Sequence, residues 1–190
     1  MRRLIYSMTA SLDGFIAGPD GAIDWSMPDE ELFAFHTQQV QETGVQLCGR
    51  RLYETMLYWE TAQETLPEGH VEFARIWKAL PKVVFSTTLE SVVGNARLAS
   101  DGVGEEVARL KEQPGKDIAV GGPGLARASM KLGLIDEWRL FVSPVLLGGG
   151  TPYFPPLGET TNLELVDTRT FGARVVYLRY RPLSRDPETI

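Results

Sequence analysis

The chain has one cysteine, Cys48, and two histidines, His36 and His70, in 190 residues. A lone cysteine cannot close an intramolecular disulfide, and so few thiols and imidazoles form no cluster at zinc-ligand spacing. A reducing, cytoplasmic setting and no structural metal are therefore expected. No apolar run approaches the roughly 20 residues that a membrane helix needs. Met1-Arg2-Arg3 and the apolar residues behind it look like the start of an export signal, but Ser7, Ser11 and Asp13 break the run too early. Positive charge is scarce too: 19 Lys and Arg against 25 Asp and Glu give a net charge of −6. That excludes a general attraction to nucleic acid, so any anion has to be held locally. Repeats, low-complexity blocks and linker-like shifts of composition are also missing. One domain over residues 1–181 is expected, with a loose tail at 182–190.

What is present is 43% hydrophobic sequence cut into strand-sized and helix-sized pieces. Leu4 to Ala10 reads as a strand that turns at Asp13-Gly14. A helix follows Asp29, with Ser26 and Asp29 as its capping pattern and Pro28 in the first turn. Val45 to Cys48 is a short strand, Gly49 a turn, and Arg51 to Leu57 the start of a helix. Phe73, Ile76, Trp77 and Leu80 follow helical spacing up to Pro81, and Lys82 to Ser86 is the next strand. Val103 to Glu112 reads as a helix, Asp117 to Val120 as a strand, and Leu125 to Leu132 as a helix ended by Gly133. Beyond it Trp138 to Val142, Leu163 to Asp167 and Ala173 to Tyr180 are strand-like. Alternating strands and helices followed by strands alone predict an α/β fold with a mixed sheet, mostly parallel, whose C-terminal strands are antiparallel.

Three strand ends carry groups suited to an anion: Gly49-Arg50-Arg51, Ser86-Thr87-Thr88 and Gly121-Gly122-Pro123-Gly124. Ligands of open α/β sheets settle beyond the carboxyl ends of the strands, where glycines let a phosphate approach the N–H groups of a helix start. A bare strand-to-helix turn would also explain Gly121 to Gly124, and a solvated helix start would explain the arginines. Cations sit unfavourably at the positive end of a helix dipole, however, and a bound anion removes that cost.

The order of motifs resembles the dihydrofolate reductase superfamily, in particular the branch of the riboflavin-biosynthesis reductase domain. The resemblance covers about residues 3–181 and rests on several segments: Met8-Thr9-Ala10-Ser11-Leu12-Asp13-Gly14, Gly49-Arg50-Arg51-Leu52-Tyr53-Glu54, Val83 to Leu89, Val120-Gly121-Gly122, Gly133 to Glu137, and Pro144 to Gly150. It implies a three-layer dihydrofolate-reductase-like fold and NADPH as cofactor. Gly49, Arg50 and Arg51 would then meet the phosphates, including the 2′-phosphate that arginine forks suit. Ser86 and Thr87 would lie along the adenosine half. Gly121, Gly122, Pro123, Gly124 and Leu125 would cradle the pyrophosphate, and Ala10 and Ile16 would line the nicotinamide. Members usually carry threonine where Leu52 stands, so one hydroxyl contact is lost. A homodimer is implied too, through C-terminal surfaces that include Trp138, Phe141, Tyr153 and Phe154, unless these aromatics fill the subunit's own core.

Trp25-Ser26-Met27-Pro28-Asp29-Glu30 resembles the tryptophan, proline and acid spacing of dihydrofolate reductases, which makes Glu30 a candidate proton donor. An acidic first helical turn is the plainer reading. Asp13 is a second candidate acid, although Leu-Asp-Gly is also a common turn. Ser143 resembles the hydroxyl that supports the family's acid, and Trp25 would stack on a planar substrate. His36 and Cys48 read as packed side chains. The leading expectation is an NADPH-dependent reductase of a small planar heterocycle, such as a pterin. The alternatives are the ribosylamino-pyrimidine reductase of riboflavin biosynthesis, which needs a second phosphate site, and a nucleotide-binding protein without turnover.

Overall fold

In the computed structural model, residues 1–61, 66–172 and 174–183 are described. Strands β1 (Leu4–Ser11) and β2 (Phe15–Ala17) lead to α1 (Glu30–Gln41), β3 (Thr43–Gly49) and α2 (Arg50–Thr61). Helix α3 (Glu68–Ala79) precedes β4 (Lys82–Phe85), β5 (Ala96–Leu98) and α4 (Val103–Glu112). Then come β6 (Asp117–Gly121), α5 (Pro123–Lys131), β7 (Glu137–Ser143), β8 (Thr151–Pro152), β9 (Leu163–Phe171) and β10 (Val175–Pro182).

One sheet holds eight strands in the order β5-β4-β3-β6-β1-β7-β10-β9. It is parallel from β5 to β7, and β10 is antiparallel to both of its neighbours. The mixed sheet with antiparallel C-terminal strands is the one the element pattern predicts. Successive residues of a strand serve different layers, as the two-residue period of a strand requires. Val45 and Leu47 pack with Val107 and Leu110 of α4 and with Ala126 and Met130 of α5. Cys48 packs with Tyr53 of α2 and with Phe73 and Trp77 of α3. Leu32 of α1 packs with Phe141, Phe171 and Tyr177. Full burial of one such side chain contributes about 1.5–3 kcal/mol, and these clusters hold the three layers together.

Several boundaries differ from the sequence pattern. Ser26 lies in a single 3-10 turn, Asp24–Ser26, where its hydroxyl donates to Ile23 O at 2.6 Å. Asp29 alone caps α1, accepting from Leu32 N at 2.9 Å. Pro28 lies between them and keeps Met27 extended, so the helix cannot start earlier. Of the tail expected from residue 182, Pro182 pairs with Leu163 and Leu183 N donates to Asn162 O. Residues 184–190 lie outside the described ones. Short β5 and the β2–β8 pair had no legible pattern. Trp138, Phe141 and Tyr153, expected at a subunit interface, are buried within the chain itself, and of that set only Phe154 is exposed.

At the N-terminal end of β7 the buried Glu137 carboxylate receives three guanidiniums: Arg139 at 2.7 Å, Arg181 at 2.9 Å and Arg3 at 3.0 Å. Burial alone would raise its pKa, but Arg139, with Arg181 and Arg3, more than offsets this and holds the carboxyl below its ordinary value. Among the described residues no helix is long and apolar enough to cross a membrane.

Candidate functional site

The carboxyl ends of β3 and β6 lie side by side, and each runs directly into a helix. Gly49 closes β3, and Arg50 and Arg51 open α2. Gly122 caps α5 at φ +91°, a conformation that favours glycine, and a Cβ there would sit 3.6 Å from Gly49 N. Pro123 takes the first helical position, where its missing N–H costs nothing. The N–H groups of Gly124 and Leu125 precede the first backbone bond of the helix, Ala126 N to Gly122 O at 3.0 Å, so they have no acceptor within it. Arginines, free amides and close backbone approach thus meet at one cavity of about 550 Å³.

Most of the expected cofactor residues come together there. Gly49, Arg50, Arg51, Gly122, Pro123, Gly124, Leu125 and Ile16 all line this cavity. Ser86 and Thr87 line a neighbouring hollow of about 510 Å³, and Arg50 borders both. Arg50 donates to Glu54 and to Thr88 Oγ1, each at 2.7 Å, while the Ser86 hydroxyl accepts from Leu89 N at 3.0 Å. An exposed pair such as Arg50–Glu54 is worth about 0.3–0.5 kcal/mol, so an incoming phosphate can replace it at little cost. The lining residues therefore fit the parts of a dinucleotide: cations and helix N–H groups for phosphates, and Ile16 and Ala17 as apolar wall. Gly121 lines a second cavity instead, of about 230 Å³, and Ala10 is buried in the core.

The candidate acids lie elsewhere. Glu30 is the first residue of α1 and is exposed. Leu32, two residues on, is buried against β7, and two residues turn a helix by about 200°, so Glu30 leaves α1 away from the sheet. Neither cavity is lined by it. Asp13 accepts from the Ser11 hydroxyl at 2.6 Å, from Gly148 N at 2.7 Å and from Leu147 N at 3.1 Å. The Ser11 hydroxyl foremost, then the Gly148 and Leu147 amides, hold its carboxyl below the ordinary range. That keeps it ionised at neutral pH as a clamp between two loops. Ser143 is buried at the end of β7, paired in register with Ser11. Trp25 is half-buried, its Nε1 donating to Ala22 O at 3.2 Å.

Sequence reasoning missed the role of Leu52. It lines both cavities and lies over Gly121, where a Cβ would collide with its Cδ2. The departure from threonine thus fills space between two chambers as well as removing a hydroxyl. Strand β2, which carries Ile16, is closely approached by Gly150, whose φ of +127° and contact with Ala17 O leave no room for a Cβ. Among the described residues no group of three or more His, Cys, Asp or Glu is placed to hold a metal ion.

The fold is that of the dihydrofolate reductases. The enzyme of Enterococcus faecalis, in a complex with NADP(H), superposes with a TM-score of 0.64 at 12% identity over 96% of this chain and 97% of that one. A Shewanella sp. PV-4 protein assigned to riboflavin biosynthesis superposes with a TM-score of 0.77 at 21% identity, covering 96% and 99% of the two chains. The chain belongs to the RibD C-terminal domain family, whose model matches residues 2–177. YyaP of Bacillus subtilis (strain 168) is 36% identical over 180 residues, 94% of either chain.

Proposed function

We propose that this chain is an NADPH-dependent reductase of a small planar heterocycle. The supporting observation is the meeting of Arg50, Arg51, the Gly122 to Leu125 helix start and the apolar Ile16 around one cavity. Bound there, NADPH supplies a hydride, and the acceptor completes its two-electron reduction with a proton. Arg50 and Arg51 hold the 2′-phosphate, the α5 amides hold the pyrophosphate, Ser86 and Thr87 border the adenosine, and Ile16 packs on the nicotinamide. Solvent delivers the proton, because Asp13 is engaged as a clamp and Glu30 points away from the sheet. Ser143 and Trp25 line neither cavity, so no step is assigned to them.

Titration with NADPH and with NADH, followed by tryptophan fluorescence and calorimetry, tests this reading. Micromolar or tighter NADPH binding is expected, with a clear preference over NADH, and Gly122→Val abolishes it. Absence of binding by either nucleotide overturns the reading. The family match also favours a second one, reduction of a ribosylamino-pyrimidine phosphate. Turnover of that substrate would establish it, whereas tight NADPH binding without oxidation by any acceptor would point to a non-catalytic nucleotide-binding protein. We further propose a cytoplasmic homodimer, since edge strand β9 leaves Leu165 exposed, as is Val176 on its partner β10. Light scattering at micromolar concentration reports its mass.

A further inference from the structure

The cavity of about 230 Å³ lies beneath α1, α2 and α3 and meets the larger one at Met8 and Leu52. Its wall holds no carboxylate. Its cation, Arg139, is already engaged by Glu137 through Nε and Nη2, both at 2.7 Å. His36, also in the wall, is pushed down to about 4 by burial and is uncharged at neutral pH. What remains is a set of neutral polar groups, Ser7, Gln39, Gln46 and Thr43, among apolar walls, and the Thr43 hydroxyl already donates to Gln39 O at 2.9 Å.

Two of these groups have open valences. The Ser7 hydroxyl donates to Gln39 Oε1 at 3.3 Å, which leaves Gln39 Nε2 without a partner among the described residues. Gln46 Nε2 donates to Leu47 O at 3.1 Å, which leaves Gln46 Oε1 likewise unpaired. Gln46 Nε2 also lies 3.1 Å from where a Cβ on Gly121 would stand, so this amide is beside the wall between the cavities. One open donor and one open acceptor match the N–H and C=O edge of a lactam or imide ring. Both glutamines are half-buried, so these two groups are open to water, and a ligand of that chemistry takes the place of that water.

Resting on the reductase reading, we propose that this second cavity is the acceptor subsite, and that Gln39 and Gln46 select an uncharged lactam-edged ring without a phosphate. Size agrees with chemistry. Cavities of roughly 150 Å³ already hold benzene, so this one takes a substituted ring or small bicycle. Arg50, whose partners are exposed, and Arg51 lie in the cofactor cavity, so a second phosphate finds no available counter-charge here. The requirement that tells the riboflavin-pathway substrate apart is therefore unmet.

Calorimetric titration with lumazine, and separately with 1,3-dimethyllumazine whose ring N–H groups are blocked, reads this directly at pH 6.5 in the presence and absence of NADPH. Lumazine is expected to bind about tenfold more tightly than the dimethyl compound. Gln39→Leu and Gln46→Leu each remove most of that preference while leaving NADPH affinity and the thermal unfolding midpoint near those of the parent. Gln39→Glu, which keeps shape but replaces the donor, does the same and covers the case of a leucine variant that fails to fold. Equal binding of the two lumazines, no binding of either, or a preference surviving all three substitutions overturns the proposal. So does tighter binding of a ribosylamino-pyrimidine 5′-phosphate than of its dephosphorylated form. NADPH affinity, measured on the same samples, fails independently if the reductase reading is the one at fault.

Discussion

Arginine serves opposite ends of this molecule in opposite ways. At the amino end of β7, Arg3, Arg139 and Arg181 converge on a carboxylate with no solvent exposure. At the carboxyl end of β3, Arg50 and Arg51 stand on the first turn of α2, where the helix dipole disfavours them, and Arg50 is held only by exposed partners. The first group has its counter-charge built in, and it holds strands together. The second lacks one of comparable strength, so its electrostatic deficit stays open to a ligand. Residue type says little here; the depth of the nearest carboxylate decides.

Removing the buried anion gives the largest expected effect. Glu137→Ala leaves three guanidiniums around an empty site and should destabilise the fold by about 3–5 kcal/mol in urea denaturation. If the loss were below about 1 kcal/mol, the arginines would be relaxing into solvent and the contrast would fail. Protonation provides a second lever. The folded-state pKa of His36 lies at about 4, below its unfolded value of 6.5, so the unfolded chain binds the extra proton between these limits. Stability should therefore fall by about 3 kcal/mol as pH drops from 6.5 to 4, and His36→Leu should flatten that part of the profile. The depressed carboxyls of Glu137 and Asp117 act lower: their contribution is present above ordinary carboxylate pKa values and is lost as pH falls through the folded ones.

At the other end, Arg50→Ala should change stability by less than about 0.5 kcal/mol while weakening NADPH roughly 10–100-fold and NADH much less, because only the former carries the phosphate the fork would bind. Equal losses for both nucleotides would move Arg50 from the 2′-phosphate to the pyrophosphate. The smallest effect concerns the clamp. Asp13→Asn should speed amide exchange at Leu147 and Gly148, whose N–H groups it accepts, with little change in global unfolding.

The strands and helices were largely legible because their signals are local. Pro81 stops α3, Gly133 stops α5, and the glycines after β3 and β6 mark the turns where the cavity opens. The turns that line the larger cavity were legible for the same reason, since each is a contiguous segment. The wall of the smaller cavity was not. Ser7, Gln39 and Gln46 come from β1, α1 and β3, no spacing connects them, and only packing brings them to one cavity. Glu30 shows the reverse error, in which a contiguous motif suggested an inward acid. The cap at Asp29 instead sets the helix phase so that Leu32 faces the sheet and Glu30 does not.

The strand order has a consequence for how the chain comes off the ribosome. Strand β10 is made after β9 yet inserts between β7 and β9, so β9 cannot reach its place until residues as late as Pro182 have left the exit tunnel. Until then β7 has an open edge and Glu137 lacks Arg181. The parallel half of the sheet has its full set of strands earlier, and vectorial synthesis favours assembling that half first. Closure of the C-terminal hairpin is then the step that commits the nascent chain, and a stall in translation just before residue 175 would expose the edge most open to mispairing.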